Sequence, residues 1–278
     1  MTAEKRPNSR RNLDIAINRL FDDDDEALRV RRLMANVIVG QLLPGGAVKG
    51  GSALKLRYGQ SSTRFSMDLD TARATDLADY VARLEAALAV GWEGFTGRLV
   101  PREPAKPKGI PVGYVMQPYD AKLLYNGKSW LTVPVEIGYN EIGDADEADM
   151  VLSAEMAELF EKLGFPAPGP VPLMKLEYQV AQKLHAVSEP GSERAHDLID
   201  LQVIVANSDL DLGAVRSVCV RLFDYRRKQP WPPHIVVGEG WEQLYAGQLA
   251  DTGVLETADE AAMWANRFVA SVDAARLV

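Results

Sequence analysis

The sequence contains a single cysteine, Cys219, among its 278 residues. One thiol cannot form an intramolecular disulfide or supply an all-cysteine zinc site. The three histidines, His185, His196 and His234, show no metal-ligand spacing with one another or with this cysteine. The composition therefore favours neither a zinc centre nor an oxidising compartment, and we expect a cytoplasmic protein.

Long apolar runs are also missing. No segment approaches the roughly 20 apolar residues that cross a bilayer, and the polar, basic start MTAEKRPNSRRNLD lacks the apolar stretch of a signal peptide. No Walker-type loop, kinase signature or Gly-x-Ser-x-Gly elbow is present. We therefore expect no membrane partner, and the sequence offers none of these catalytic motifs.

The net charge is −8, with 47% hydrophobic and 25% charged residues. This is an ordinary globular composition, and its acidity argues against non-specific nucleic-acid binding by the whole surface. A local basic surface is still compatible with it. Arg221, Arg226, Arg227 and Lys228, on a late predicted helix, form either an RNA-facing patch or a solvated face.

The apolar periodicity predicts an α/β (α+β) fold with a mixed sheet and helices against it. Strand-like alternation occurs in four segments, 65–70, 95–99, 113–124 and 130–137. Helical spacing is clearest at 76–90, 173–187, 196–206, 212–226 and 257–277. We expect residues 1–165 to form the sheet-containing core with amino-terminal helices, and 166–278 a mainly helical carboxy-terminal region.

Asp68 and Asp70 are two positions apart in a predicted strand, so both carboxylates project from one face, with their α-carbons about 7 Å apart. Such a pair can hold Mg²⁺ (or Mn²⁺), which is bound by one or two carboxylates together with substrate phosphates. An Asp-x-Asp pair alone is equally compatible with a surface or capping role.

Gly50, Gly51 and Ser52 precede this pair, at a predicted turn between a strand and a helix. Glycines there let the backbone approach a triphosphate, and amides and the serine hydroxyl can contact its oxygens. We predict all three to be nucleotide-binding residues, although an ordinary tight turn also uses glycine.

Glu136 lies among apolar residues in the predicted strand TVPVEIG. A third carboxylate beside the aspartate pair would bind a metal ion or act as general base for an attacking hydroxyl. The alternative is that this side chain simply projects outward from the sheet.

Together, GGS, a spacer of 15 residues, Asp-Leu-Asp and a later strand carboxylate resemble the signature of the DNA polymerase β superfamily. More closely, KGGSALKLRYGQSSTRFSMDLD and QKLHAVSEPGSERAHDLIDL resemble the AbiEii/AbiGii-type nucleotidyltransferase toxins of bacterial toxin-antitoxin systems. The resemblance implies a polymerase β-like core, a divalent metal ion at Asp68, Asp70 and Glu136, and a nucleoside triphosphate as substrate.

The resemblance further implies that Lys183, in QKLHA, and Asp197, in HDLID, join the active site, with the lysine on a nucleotide phosphate. From the residues alone, Lys183 on an amphipathic helix is equally an ordinary solvated lysine. Asp197, a neighbour of Asp200 on the helix face, has an explanation in the helix dipole. Arg194 contacts either phosphate or an acid.

Ser66 precedes Asp68 by two residues and would point to the same strand face, so we predict a nucleotide contact there. Resemblance to family members silenced by phosphorylation makes Ser66 a candidate phosphoacceptor, because added negative charge would repel a triphosphate. A local hydrogen bond is the alternative. Arg57 and Arg64 flank the loop before it, and both are predicted phosphate contacts.

The resemblance implies a toxin that moves a nucleoside monophosphate from a triphosphate to RNA, at the 3′ end of transfer RNA. This would block aminoacylation and growth, and a cognate antitoxin would be the partner. Two alternatives remain: transfer to a small molecule or a protein hydroxyl, and a nucleotide-binding regulatory protein without turnover.

Overall fold

A computed structural model of the protein describes residues 5–59, 62–64, 68–105, 115–249 and 253–276. As far as it is described, the chain forms two compact units. The first comprises Met1–Gly59 and Ser66–Leu173, and the second comprises Gln60–Phe65 and Met174–Val278.

The first unit combines a sheet with helices. Its helices are α1 (Arg10–Asn18), α2 (Asp24–Gly40), α3 (Gly50–Tyr58), α4 (Leu77–Val90) and α5 (Ala154–Lys162). The strands are β1 (Ala47–Val48), β2 (Leu69–Ala72), β3 (Phe95–Pro101), β4 (Gln117–Tyr125), β5 (Lys128–Gly138), β6 (Ala148–Val151) and β7 (Val171–Met174), of which the last reaches the start of the second unit.

The seven strands form one sheet in the order β3-β4-β5-β2-β1-β7-β6. β2 runs parallel to β5 and β1 parallel to β7, whereas β1 and β2, β3 and β4, and β4 and β5 pair antiparallel. The β4–β5 hairpin turns through Asn126 and Gly127, both with positive φ, as a two-residue turn requires. The predicted α/β class with a mixed sheet is confirmed.

Alternation along β5 decides which residues enter the core. Val133, Val135 and Ile137 are buried, whereas Glu136 is only half-buried. Because successive side chains of a strand point to opposite faces, Glu136 lies on the face away from these core residues. Helix α2 packs on β5 and contributes Val37 to the same apolar cluster.

The second unit is helical over most of its length. It contains α6 (Leu176–Ser188), α7 (Asp197–Asn207), α8 (Leu212–Arg226), α9 (Trp241–Ala246) and α10 (Ala258–Ala274). Helix α8 has the predicted bounds, and α6 packs against α7 and α8. Within the described residues, none of the helices has both the length and the apolar character that a membrane crossing requires.

The prediction of a helix from Leu173 is wrong at its first residues. Val171 and Leu173 are buried in β7, where Leu173 pairs with Val48 of β1, and the helix begins only at Leu176. Pro172 between them has no backbone N–H and suits a short strand better than a helix interior.

Candidate active site

Asp70 and Glu136 are direct partners in the parallel register of β2 and β5. Neighbouring strands are about 4.8 Å apart, so the two residues that carry these carboxylates are direct neighbours in the sheet. Both side chains are half-buried. Asp68 is exposed and immediately precedes β2, which begins at Leu69.

Gly50, the first residue of α3, lies against Asp70. Its φ is +68°, and a Cβ placed on it would lie 2.7 Å from Asp70 Oδ2. The preceding amide, Lys49 N, donates a hydrogen bond of 2.8 Å to Asp70 O. A glycine is therefore required here for two reasons, the left-handed backbone and the close approach of the carboxylate.

Ser52 is buried in the first turn of α3, and its hydroxyl donates a hydrogen bond to the main-chain oxygen of Asp68. The serine thus ties the start of the helix to the residue that carries the first aspartate. The amino-terminal amides of a helix such as α3 favour anions. A contact of Gly50, Gly51 and Ser52 with nucleotide phosphate remains a prediction.

Lys49 is a residue that sequence reasoning did not single out. A Cβ placed on Gly138 would lie 3.2 Å from Lys49 Nζ, so this ammonium group lies over the end of β5, two residues beyond Glu136. Its position directly before the glycine pair was the available signal. The first unit thus places a cation near the end of the strand that carries Glu136.

The pKa of Glu136 is raised, first by burial and then by the negative charges of Asp70 and Asp68, while Arg102 opposes the shift. Three carboxylates that repel one another suit a divalent cation, whose charge would offset the repulsion. Carboxylate oxygens are also the ligands that Mg²⁺ and Mn²⁺ prefer. The donor chemistry therefore fits a hard divalent metal ion.

In the part of the chain that the structure describes, no three His, Cys, Asp or Glu side chains lie close enough together to hold a metal ion. Mg²⁺ is commonly bound by one or two carboxylates with substrate phosphates and water as the other ligands.

Lys183 in the second unit is buried, with 5% of its surface exposed. Its Nζ lies 2.9 Å from Asp197 Oδ1 and 2.5 Å from Asp200 Oδ2. The alternative of a solvated lysine is therefore wrong, because α6 packs against α7 and directs the side chain to the two aspartates on that helix.

Asp200 is the centre of this cluster and was missed as a site residue. Arg64 donates two hydrogen bonds to it, from Nε and Nη2, each 2.9 Å long. Asp197 is paired in turn with Arg194, whose Nε lies 2.8 Å from Oδ2. Arg194 therefore pairs with an acid, one of its two predicted roles. The three-residue spacing of the two aspartates on α7 was the sequence signal.

Burial acts to raise the pKa of both Asp197 and Asp200, but the surrounding cations outweigh it and hold both pKa values below the usual range. Lys183 and Arg194 act on Asp197, and Lys183 and Arg64 act on Asp200. Both aspartates are therefore ionised at neutral pH, and these two buried negative charges are surrounded by three cations.

His196 precedes these aspartates at the start of α7. Its pKa is lowered to about 4, first by burial and then by the charges of Arg64 and Arg194, which together outweigh the opposite effect of Asp197 and Asp200. The imidazole is consequently neutral at pH 7, and the cluster does not gain a fourth cation.

Two other cations that the sequence analysis singled out each form an ion pair with an acid. Arg57 pairs with Asp149 at 2.7 Å, and Lys228 pairs with Glu189 at 2.5 Å. Ser66 lies outside the described residues, so its predicted nucleotide contact and phosphorylation stay predictions.

The sequence matches a protein family described as the nucleotidyl transferase AbiEii toxin of type IV toxin-antitoxin systems, over residues 32–274. The chain belongs to this family, and the resemblance inferred from the two motifs is confirmed. The protein is a nucleotidyltransferase and the toxin of a toxin-antitoxin system, with a nucleoside triphosphate substrate and an antitoxin partner. A regulatory protein without turnover is therefore set aside.

Two solved structures are similar to this chain. One, from H. pylori, is described as a nucleotidyltransferase; at 18% identity it covers 90% of this chain and 96% of its own, with a TM-score of 0.47. The other is the nucleotidyltransferase toxin MenT4 from Mycobacterium tuberculosis H37Rv, also at 18% identity, with coverage of 97% and 99% and a TM-score of 0.48. Comparison with curated protein sequences gives no significant match.

Proposed function

We propose that this toxin uses Mg²⁺ to transfer a nucleoside monophosphate to the 3′ end of transfer RNA in the cytoplasm, which blocks aminoacylation. The observation that carries the proposal is the paired position of Asp70 and Glu136, with Gly50 against Asp70 Oδ2. Two carboxylates and a helix start are thereby brought together, as a metal-bound triphosphate requires.

Asp70 and Glu136, at paired strand positions, would hold the metal ion together with substrate phosphates, and Asp68, directly before β2, would join them as the third predicted ligand once the ion is bound. When bound, a divalent ion neutralises charge on the triphosphate and favours ionisation of an attacking hydroxyl. The amides of Gly50 and Gly51, at the start of α3, and the Ser52 hydroxyl are assigned to phosphate oxygens.

In the reaction, the 3′ hydroxyl of the acceptor attacks the α-phosphate, a new P–O bond forms, and pyrophosphate leaves. The hydroxyl must lose its proton. Glu136, which pairs with Asp70 across the two strands, is assigned to accept this proton where it does not itself bind the ion.

In the second unit we assign Lys183 to the triphosphate and Asp197 to holding this lysine. The 2.9 Å contact between Lys183 Nζ and Asp197 Oδ1 holds the ammonium group of this α6 residue against α7. Arg64 is a proposed phosphate contact whose guanidinium is fixed by Asp200. A fixed cation stabilises the charge that develops on the leaving phosphates without reorganising first.

The first test is incubation of the purified protein with total bacterial RNA, Mg²⁺ and each labelled nucleoside triphosphate in turn. Transfer RNA should acquire label at its 3′ end, and chelation of divalent cations should abolish labelling. The same transfer RNA should then no longer accept its amino acid.

The control variants are Asp68→Ala, which should be inactive, and Asp79→Ala, which removes an exposed acid on α4 and should be active. Label in protein or in a small molecule, with none in RNA, would assign another acceptor to the same chemistry. Equal labelling by the Asp68→Ala variant would remove the proposed metal site.

Ser66 is proposed as a regulatory phosphoacceptor, since a phosphate two residues from Asp68 would repel the triphosphate. A Ser66→Asp variant should lose transfer activity, whereas Ser66→Ala should keep most of it. Loss in both variants would point to a direct catalytic contribution of the hydroxyl, and activity in both would contradict regulation at this residue.

A further inference from the structure

A cavity of about 670 Å³ lies in the second unit, between α8 and the end of α10. Three of its nine lining residues are arginines, Arg216, Arg221 and Arg276, and one is an acid, Asp273. The lining therefore has a net charge of +2, in a chain whose net charge is −8. Cations concentrated in a concave surface raise the local concentration of anions.

Among the described residues, Arg216 makes its contacts in this cavity through Nε. Nε donates a 2.9 Å hydrogen bond to Asp273 O and lies 3.5 Å from Asp273 Oδ1. The Asp273 carboxylate is fixed in turn by Trp231 Nε1 at 2.8 Å. Because both contacts involve Nε, the two terminal nitrogens of Arg216 keep their donors for a ligand.

Arg276 follows α10 and is exposed. Among the described residues it has no hydrogen-bond or ion-pair partner. Arg221 lies on α8, five residues beyond Arg216, a rise of about 7.5 Å along the helix.

We infer that this arginine cavity binds backbone phosphates of the RNA acceptor. The inference rests on the proposed transfer to RNA and adds to it a docking site outside the catalytic residues. Guanidinium groups bind phosphate through two parallel hydrogen bonds, and several of them on two elements suit a chain of phosphates better than one isolated anion. Phosphate contacts position an RNA without reading its sequence.

The test compares binding of fluorescein-labelled bacterial transfer RNA to the full-length protein and its variants, by anisotropy over a series of salt concentrations. An Arg216→Gln, Arg276→Gln double variant should bind about tenfold more weakly, and its dependence on salt should fall by the equivalent of one to two phosphate contacts. The KM for the nucleoside triphosphate should stay unchanged. Arg267→Gln, an exposed arginine of α10 outside the cavity, is the matched control.

Asp273→Asn supplies a test with the opposite sign. The amide oxygen of asparagine still accepts from Trp231, but one negative charge leaves the cavity, so RNA should bind severalfold more tightly. Misfolding cannot weaken binding in one variant and tighten it in the other. Unchanged RNA binding and salt dependence in the double variant would overturn the inference.

Two further outcomes separate this inference from the proposed function. Wild-type protein that binds transfer RNA through these arginines but never labels it would overturn the proposed transfer and leave the docking site standing. A double variant that loses antitoxin binding while its RNA binding stays normal would overturn the docking site and assign the cavity to an acidic protein segment.

Discussion

Lys183 Nζ lies 2.5 Å from Asp200 Oδ2, in a position where both residues are buried. Asp200 also binds Arg64, so one carboxylate holds two cations. Buried charges of this kind are stable only while their partners are present, because neither can return to water. The pair therefore determines both the position of Lys183 and part of the stability of the second unit.

Replacement of Asp200 by Asn should destabilise the protein by about 3 kcal/mol, since a buried charge that Lys183 and Arg64 share is removed. Urea unfolding of the variant measures this. Asp149→Asn is the control, because the Asp149 side chain is 35% exposed and its pair with Arg57 should contribute less than about 1 kcal/mol. Equal losses in the two variants would contradict a special role of the buried pair.

A double-mutant cycle with Lys183→Met extends this test. If the two residues interact as the 2.5 Å distance indicates, the double variant should be more stable than the sum of the two single changes predicts. Additive losses would mean that Asp200 acts through Arg64 alone.

Stability should fall as the pH is lowered from about 6.5 to 4, because the folded protein keeps His196 neutral, with a pKa of about 4, while the unfolded chain protonates it near 6.5. The stabilisation is thus fully present above the unfolded pKa and lost through this window. We expect a loss of about 1–3 kcal/mol, reduced from the full shift because the ring is a quarter exposed.

Urea midpoints at several pH values between 4.5 and 7.5 measure the effect, and His196→Gln should flatten the dependence. His234→Gln, which removes an exposed histidine and leaves His196 in place, should keep the wild-type slope. The depressed pKa values of Asp197 and Asp200 remove stability only below about pH 4, so they do not interfere in this window.

Much of the fold follows from local patterns in the sequence. The alternation of apolar and polar residues predicted β5 and the position of Glu136 on it. The helical spacing of apolar residues predicted the bounds of α8. Such patterns depend on neighbours two to four positions apart, which are visible in one sequence. The β7 strand was missed because four residues, one of them Pro172, give too short a pattern to distinguish from the start of a helix.

The candidate site was predictable only in part. The aspartate pair and Lys183 were identified from motifs, but the pairing of Arg64 with Asp200 joins residues 136 positions apart, and no local pattern encodes it. The same holds for the cavity lined by Arg216, on α8, and Arg276, which follows α10. Burial of Lys183 was missed because an amphipathic helix does not show which polar residues meet partners on another helix.

Gly50→Ala should strongly impair transfer activity, because it adds a Cβ at 2.7 Å from Asp70 Oδ2 as well as strain at a φ of +68°. Gly127→Ala is the matched control. Its φ is +74°, but nothing lies within 4 Å of an added Cβ. Both variants should lose about 1 kcal/mol of stability from the backbone, and only Gly50→Ala should lose activity, by tenfold or more.

Initial rates and thermal midpoints of the two glycine variants, measured side by side, separate the causes. An equal fall in activity would show that backbone strain alone is responsible. A fall specific to Gly50→Ala, accompanied by a higher Mg²⁺ requirement, would locate the effect at the Asp70 carboxylate.

Asp70→Asn should reduce transfer activity by about 100-fold or more and leave the folded protein equally or slightly more stable without added metal. Activity should fall because the variant loses a metal ligand. Stability should not fall, because the variant also loses a negative charge that repels Glu136. A purely structural aspartate would lower stability and activity together. Measuring the thermal midpoint with and without Mg²⁺, alongside Asp79→Asn as the exposed control, distinguishes the two. Stabilisation by Mg²⁺ should be present in wild type and the control and absent in Asp70→Asn. If Mg²⁺ stabilises all three equally, Asp70 does not bind the ion.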